Sequence, residues 1–392
     1  MSSLLRNVAG LGLAISLFGA VAGGQEYQQT NLVANMGSAP TIDSDLVNSW
    51  GLARGSATPW WVADNATGNL TVYNGSGNKL PLTVTVPGAK SGAMGTPTGL
   101  MYNGSTTDFM LGSSGAALYL FCTLDGTIAG WNHAGGVMVM VKTTDGSSYT
   151  GLTSTTLNGK LYLYAANFTK GRVDVYDSFF KRVHLGGQDS GWRGNNNWRG
   201  QDNGRGQDGG AFRDEQLPAD YVPYNVQAIG SNIVVTYALH EEGNRFETDG
   251  PGLGYVDIYS ADGHLVMSLQ HGDWLNAPWG VALTPLDFGM YSHDLLVGQF
   301  AGGGPTQSSG YIAAYDMASG RFVGLLQDAT GKPLAINGIW AISPGNTSPN
   351  NFDSAGAPAA ELYFTAGPRH GAGGLFGYLT PVSTELTEGN DQ

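Results

Sequence analysis

The chain has 392 residues, of which 61 are glycine, 12% are charged and 10% are aromatic. Because glycine costs about 1 kcal/mol in the interior of a helix, this composition argues against long helices and favours short strands joined by turns. The formal net charge of −13 argues against binding to a nucleic-acid backbone, and the low charge density argues against electrostatic attachment to a membrane surface.

Residues 1–22 are predicted to be a secretory signal peptide. Arg6 precedes an apolar stretch over residues 8–21, and the small residues Ala20 and Ala22 mark a cleavage site. The alternative, a buried core helix, is weakened by the glycines within the stretch. We therefore expect a secreted, extracellular or periplasmic protein with no membrane span after signal removal. Cys122 is the only cysteine, which excludes an internal disulfide.

A short phrase recurs along the chain, and each copy is followed by an apolar run, a turn and a second apolar run. A period of roughly 40–60 residues built from short strands is typical of a radial array of small sheets. The sequence therefore predicts an all-β six-bladed β-propeller over residues 23–382, followed by a flexible C-terminal tail over 383–392. The six copies lie at residues 48–53, 97–100, 149–152, 223–226, 276–282 and 337–340.

The segment 27–33 reads as a lone strand before the first full repeat, while the last repeat lacks an outer strand. A strand in this position commonly completes the last blade, so that no sheet edge is left exposed. We therefore expect the last blade to be closed by the N-terminal strand, paired beside residues 374–378.

Residues 186–210 consist almost entirely of Gly, Asn, Gln, Asp, Arg and Ser, with Trp192 and Trp198 in near-repeats. Such a composition cannot bury enough apolar surface to become ordered. The sequence predicts a disordered Gly/Asn/Gln/Asp/Arg-rich insertion over residues 186–213, tolerated at the surface. The alternative is a segment that binds a partner or polymer.

Seven short segments match one protein family in order, at residues 31–33, 47–53, 61–65, 125–131, 173–177, 276–280 and 362–368. Together these segments resemble a family of secreted, functionally uncharacterised bacterial proteins. The resemblance covers nearly the whole mature chain and implies an exported six-bladed propeller akin to the NHL-repeat class. It implies no catalytic residue. The chain departs from the family in its insertion and in its polar ending, which has no anchoring helix, so we expect a freely secreted protein.

One end of the predicted propeller collects candidate binding residues. In an up-and-down meander, the start of each innermost strand and the loop between the second and third strands share one face, and this face carries the longest loops. The candidate ligand-binding residues there are Trp50, Asp64, Asn65, Asp125, Asn167, His240, Glu242, Trp279, Gln299, Trp340 and His370.

These residues allow several interpretations. The tryptophans can serve as platforms for sugar rings or as wedges between blades, and their recurrence favours packing. No cofactor is predicted; Asp64, Asp125, His240 and Glu242 are weak candidate ligands for a divalent cation such as Ca²⁺. The carboxylate ring of a sugar lactonase is not visible at the strand entries.

The sequence thus predicts a secreted binding or scaffold protein for an extracellular carbohydrate or protein ligand, with no nucleic-acid partner and no assigned catalytic residue. The alternative is a metal-assisted hydrolase or lyase that acts at the mouth of the propeller pore. A third hypothesis is a purely structural role in the cell envelope.

Overall fold

A computed structural model of the protein describes residues 25–37, 39–185, 211–241, 243–285, 287–300, 310–345 and 360–382. The predicted signal peptide, the tail over 383–392 and all but the last three residues of the predicted insertion lie outside the described residues. No helix in the described part of the chain is long and apolar enough to cross a membrane.

The first half of the described chain forms two leading strands and three four-stranded sheets, which we number as blades 1 to 3. The leading strands are β1 (Tyr27–Ala34) and β2 (Thr41–Ile42). Blade 1 contains β3 (Ser49–Ala53), β4 (Trp60–Asp64), β5 (Asn69–Tyr73) and β6 (Lys79–Thr85). Blade 2 contains β7 (Pro97–Tyr102), β8 (Tyr119–Thr123), β9 (Thr127–Asn132) and β10 (Gly136–Lys142). Blade 3 contains β11 (Tyr149–Leu157), β12 (Lys160–Asn167), β13 (Arg172–Asp177) and β14 (Arg182–Val183).

The second half of the described chain forms blades 4 to 6. Three short 3₁₀ turns lie along the described chain, at Gly112–Ser114, Phe168–Lys170 and Gly289–Tyr291. Blade 4 contains β15 (Tyr221–Ile229), β16 (Asn232–Leu239), β17 (Gly254–Ser260) and β18 (Leu265–Ser268). Blade 5 contains β19 (Pro278–Leu283), β20 (Leu295–Gln299), β21 (Ile312–Tyr315) and β22 (Phe322–Leu325). Blade 6 contains β23 (Ile339–Pro344), β24 (Leu362–Ala366) and β25 (Leu375–Pro381), and is completed by β1 and β2.

The predicted six-bladed propeller is confirmed. Blades 1 to 5 are antiparallel meanders, and blade 6 is antiparallel except that β2 pairs parallel to β1. The six innermost strands pack side by side around one axis; they are β3, β7, β11, β15, β19 and β23. The closing strand is confirmed as well: β1 runs antiparallel to β25, with Tyr27 opposite Pro381 and Ala34 opposite Leu375. The ring is therefore closed by strand pairing between the two ends of the described chain.

The innermost strands approach one another closely, and glycine makes this approach possible. A Cβ atom at Gly51 would lie 2.2 Å from the Thr98 carbonyl oxygen of blade 2, and one at Gly151 would lie 2.1 Å from Asn225 Oδ1 of blade 4. The Trp-Gly and Thr-Gly pairs of the repeated phrase therefore set the distance between neighbouring blades.

The boundary of the predicted insertion needs a correction at its C-terminal side. Phe212 is only 7% exposed, and its ring lies 5.6 Å from that of Tyr164 in blade 3 and 5.4 Å from that of Tyr259 in blade 4. Residues 211–213 thus belong to the propeller, because an aromatic side chain there fills the space between two blades. The prediction of disorder for residues 186–210 stays a prediction.

Candidate functional site

Three of the predicted candidate residues lie at the same end of the molecule, which we call the entry face because the innermost strands begin there. Strand pairing places Asp64 opposite Ser49, Asn167 opposite Tyr149 and Gln299 opposite Pro278. The loops between second and third strands therefore lie beside the starts of the innermost strands. The opposite end, where these strands finish, is the exit face.

The three tryptophans lie inside the molecule rather than on the entry face. Trp50, Trp279 and Trp340 are 4%, 5% and 2% exposed. Trp50 stacks on Trp340 with ring centroids 3.6 Å apart, and Trp279 meets the pair edge-on at 6.3 and 6.0 Å. Their rings are therefore covered by one another and cannot serve as open platforms for a sugar.

These tryptophans belong to a set that we call the axial ring, one residue from each innermost strand, all within the core. Trp279 Nε1 donates to the Thr150 carbonyl oxygen at 3.0 Å, and Trp340 Nε1 donates to Asn48 Oδ1 at 2.9 Å. The indoles thus tie different blades together as well as filling the axis. The members of the axial ring are Trp50, Thr98, Thr150, Tyr224, Trp279 and Trp340.

Three of the amide candidates are also buried and act within the framework. Asn65 Nδ2 donates to the Pro97 carbonyl oxygen at 3.1 Å, which links blade 1 to blade 2. Asn167 Nδ2 donates to Asp174 Oδ2 at 2.7 Å. The Asn276 backbone N–H donates to Gln299 Oε1 at 2.9 Å. These side chains hold the strand entries in place, so they are not available to a ligand.

Asp64 is fully buried, and Thr71 Oγ1 donates to its Oδ2 at 2.7 Å. Burial raises the pKa of Asp64 well above its ordinary range, and the hydrogen bond from Thr71 only partly offsets this effect. A carboxyl group in such surroundings is stable in its neutral form. Asp64 is therefore a structural acid beneath the entry face and not an exposed anionic ligand.

The other candidates lie nearer the surface. Asp125 accepts hydrogen bonds from the Ala89 N–H and from Thr96 Oγ1. His240 is partly exposed and packs against Phe168 with ring centroids 4.6 Å apart. His370 is exposed, in a turn where its φ is 56°. Glu242 lies outside the described residues.

Three of the four weak candidates for a metal site, Asp64, Asp125 and His240, lie in the described part of the chain and are not brought together. Among the described residues, no group of three or more His, Cys, Asp or Glu side chains is placed to hold a metal ion. Asp64 is buried under blade 1, Asp125 is bonded to backbone and hydroxyl donors of its own region, and His240 lies over blade 3.

The entry face of blade 4 carries an aromatic strip that sequence reasoning missed. The Tyr221 ring meets that of Tyr255 edge-on at 4.7 Å, and the His271 ring is stacked on Tyr255 at 4.3 Å with an interplanar angle of 15°. The two tyrosines are half-buried and His271 is exposed. Tyr221 is the first residue of β15 and Tyr255 is the second residue of β17. This position at the strand starts was the available signal.

A cleft of about 630 Å³ lies between blades 3 and 4, and Tyr221 of the strip is one of its lining residues. His240 also lines the cleft, and its walls carry both cations and anions, including Arg172, Arg213 and Asp220. Arg172 is held in place by Asp174, with Nε 2.8 Å from Oδ1. The cleft therefore combines an aromatic surface with charged and polar groups that can form hydrogen bonds.

Glu247 lies near the axis in the loop that joins β16 to β17. Burial, and next the charge of Asp249, raises the pKa of Glu247 to about 7, while the Tyr224 hydroxyl acts in the opposite direction. Glu247 is partly buried. A carboxyl group with a pKa near neutrality can both release and accept a proton under physiological conditions.

No family model matches this chain. Uncharacterised protein L690 of Acanthamoeba polyphaga mimivirus is 29% identical over 350 residues, covering 87% of this chain and 82% of its own. Uncharacterised protein R648 of the same virus is 28% identical over 365 residues, covering 89% and 78%. These relatives are viral, and neither a bacterial origin nor export follows from them.

Two solved structures were also found to be similar. Hydrazine synthase from Kuenenia stuttgartiensis has a TM-score of 0.45 and 12% identity, covering 84% of this chain and 76% of its own. A streptogramin B lyase has a TM-score of 0.46 and 11% identity, covering 91% and 98%. The chemistry of the site rests on this chain's own residues.

Proposed function

We propose that the protein is a secreted binding module that recognises a carbohydrate on the entry face of blade 4. The observation that carries this proposal is the strip formed by Tyr221, Tyr255 and His271. Its first member, Tyr221, also lines the cleft between blades 3 and 4. The propeller itself supports a binding or scaffold role at most.

The strip suits a sugar because an aromatic ring offers a flat apolar surface of fixed orientation. The C–H faces of a pyranose pack against such a ring, while its hydroxyls need donors and acceptors nearby. The cleft supplies these groups through His240, Arg172 and Asp220. The stack of His271 on Tyr255 also fixes the tyrosine ring, which lowers the entropy lost on binding.

A glycan array probed with the purified full chain tests the proposal, followed by calorimetry on any positive glycan. Tyr255→Ala should weaken binding roughly five- to tenfold, the equivalent of about 1–1.4 kcal/mol. Phe179→Ala is the matched control, because Phe179 is 86% exposed and lies outside the strip. We propose that no metal takes part, so EDTA should leave the affinity unchanged.

Two outcomes would overturn the carbohydrate proposal. An array with no signal above background would favour the runner-up, a protein or peptide ligand that packs on the same strip. A glycan that binds the Tyr255→Ala variant as tightly as the wild type would place the binding site elsewhere.

A hydrolase or lyase at the pore mouth is a second candidate, and the near-neutral pKa of Glu247 favours it. Such a group can serve as general acid or base toward a ligand held over the axis. Incubation of any bound glycan with the protein, followed by mass spectrometry, tests this candidate. Products formed by the wild type and lost in Glu247→Gln would support it, whereas an unchanged glycan would contradict it.

A further inference from the structure

The turn between β13 and β14 carries the most exposed large apolar side chain in the described part of the chain. Phe179 lies in this turn, at the exit end of blade 3, and is 86% exposed. A ring left in water in this way forgoes the stabilisation that burial of its apolar surface would give. Its direct neighbour Phe180 is buried, so the same turn directs one aromatic ring inward and the other outward.

The backbone of this turn is fixed by Asp177. Its Oδ1 accepts hydrogen bonds from the N–H groups of Phe179 and Lys181, at 3.0 and 2.9 Å. The Asp177 N–H donates to the Lys181 carbonyl oxygen, also at 2.9 Å. Phe179 is therefore held at the tip of a closed turn, and little backbone entropy is lost when its ring is covered by a partner.

The turn is anchored to blade 2 by a buried pair of phenylalanines. The rings of Phe180 and Phe109 lie with their centroids 5.4 Å apart, and the Phe109 N–H donates to the Ser178 carbonyl oxygen at 3.0 Å. Both phenylalanines have a left-handed backbone, with φ of 62° and 56°, which is uncommon for bulky side chains. The buried pair thus fixes the direction in which the neighbouring Phe179 projects.

Two methionines of blade 2 border the same junction between blades 2 and 3. Met110 follows Phe109 in the connection between β7 and β8 and is 40% exposed. Met138 of β10 is 36% exposed, and its Cε would lie 3.9 Å from a Cβ atom at Gly112 in the same connection. We call Phe179, Met110 and Met138 the apolar patch. Exposed methionines beside an aromatic ring are typical of surfaces that contact apolar partners.

Two lysines project beside the apolar patch. Lys181 lies in the same turn as Phe179. Lys160 is the first residue of β12, two positions before Tyr162, which pairs with Asp177 at the start of the turn. Both lysines are exposed, and neither forms an ion pair with a described residue.

The acidic groups of the two segments that carry the patch are used within the chain. Asp177 and Asp108 are half-buried; Asp177 binds the backbone of the turn, and Asp108 Oδ2 accepts from Ser105 Oγ at 2.6 Å. The formal net charge of the whole chain is −13, but interactions beyond about 8 Å are largely screened at physiological ionic strength. A partner at the patch therefore meets chiefly the two lysines.

We propose that the apolar patch docks onto a lipid bilayer that contains anionic lipids, with Phe179 inserted below the headgroups and Lys160 and Lys181 paired with them. A protruding ring needs a partner that encloses it, and a fluid bilayer does so without a matching pocket. Aromatic rings favour the membrane–water interface, and lysine side chains reach the headgroups while their stems stay in apolar surroundings. The low charge density of the chain argues against attachment by charge alone, so the apolar side chains carry the contact.

Co-sedimentation of the full chain with vesicles tests the proposal. Vesicles of phosphatidylcholine and phosphatidylglycerol, in a ratio of about 7:3, are compared with vesicles of phosphatidylcholine alone. The wild type should bind the mixed vesicles more tightly, and Phe179→Ala should weaken binding to both kinds roughly fivefold or more. Phe246→Ala is the matched control, because Phe246 is 54% exposed and lies between β16 and β17, at the entry face. Wild-type affinity in Phe179→Ala would overturn the proposal, and so would a wild type that binds neither kind of vesicle, which would favour a protein partner with an apolar pocket.

Two further variants test the charge and the depth of the contact. The double variant Lys160→Gln/Lys181→Gln should weaken binding to the mixed vesicles roughly tenfold or more and to phosphatidylcholine vesicles less than twofold. Phe179→Trp should bind within about twofold of the wild type, and lipids brominated on the acyl chain should quench its tryptophan fluorescence more than that of the wild type. An unchanged preference for mixed vesicles in the double variant, or no additional quenching in Phe179→Trp, would overturn the proposed orientation.

The apolar patch is separate from the strip of Tyr221, Tyr255 and His271, and the proposal does not depend on the carbohydrate function. Phe179→Ala should retain glycan binding, and Tyr255→Ala should retain vesicle binding. Failure of the membrane contact and failure of the carbohydrate site are therefore distinguishable.

Discussion

Two aspartates with equivalent neighbours in adjacent blades are buried in different surroundings. Asp174 precedes Val175-Tyr176 in β13 and is paired with Arg172 and Arg182, at 2.8 and 2.7 Å. Asp257 precedes Ile258-Tyr259 in β17 and accepts a hydrogen bond from the Tyr259 hydroxyl at 3.2 Å. Burial, the largest effect, raises the pKa of Asp257 to about 6. The same local phrase thus produces an ion pair in one blade and a titratable acid in the next.

Replacing Asp257 with Asn should remove a pH dependence of stability. The pKa of Asp257 rises on folding from 3.8 to about 6, so the folded state binds the proton more tightly. The protonated Asp257 therefore stabilises the folded state fully below about pH 4, and this stabilisation is lost as the pH rises through 6. Urea unfolding should show the wild type losing roughly 2 kcal/mol relative to Asp257→Asn between pH 4 and pH 7. Glu215 is exposed, so the Glu215→Gln variant should show the same pH dependence of stability as the wild type. If the stability difference between the wild type and Asp257→Asn did not change with pH, the raised pKa of Asp257 would be contradicted.

Replacing Trp340 with Ala should destabilise the fold without changing ligand affinity. Trp340 is stacked between Trp50 and Phe300, with ring centroids 3.6 and 4.0 Å away, and is only 2% exposed. Truncation of a buried tryptophan costs about 3–5 kcal/mol. Chemical unfolding measures this loss, and calorimetry on the folded protein measures the affinity for a positive glycan. Trp340→Phe should lose less stability, and a loss of affinity at unchanged stability would restore the platform interpretation.

Among the strands, β1 has a role that its local sequence does not show. It supplies the outer strand that blade 6 lacks, and β2 pairs parallel to it, with Val33 opposite Thr41. Strands β1 and β25 approach each other especially closely at Gly377 of β25, where an added Cβ atom would lie 2.3 Å from the Thr30 carbonyl oxygen. The closure of the ring therefore depends on a position without a side chain.

Gly377→Ala should weaken the closure of the ring. The added methyl group must displace the backbone of β1, an overpacking cost of about 1–3 kcal/mol. Thermal unfolding should show a lower Tm, and size-exclusion chromatography should show association through the loosened edge of β25. Gly104→Ala is the control, because its nearest atom outside the adjacent residues lies at 3.7 Å. Equal stability of the two variants would show that β1 can shift freely.

For the molecule as a whole, the sequence predicted the ring well and the site poorly. The blades repeat one local phrase, and its period is enough to predict six sheets and the closing strand. The burial of Trp50, Asp64 and Gln299 depends instead on how the six innermost strands converge at the axis. No local sequence pattern predicts that convergence. The strip of Tyr221 and Tyr255 was missed for the same reason, since its residues meet only after blade 4 has folded.

Residues 187–209 should be dispensable for the propeller. Blade 3 is complete at β14, where Arg182 pairs with Tyr176. Phe212 then returns the chain to the core, and its N–H donates to the Gly263 carbonyl oxygen at 2.8 Å. Replacing 187–209 with a short Gly-Ser linker should change the Tm in calorimetry by less than about 3 °C, because loop length alters the closure entropy only slowly. Phe212→Ala in the full chain should instead cost roughly 3 kcal/mol. A shortened chain that loses its cooperative transition would show that these residues contribute to the core between blades 3 and 4.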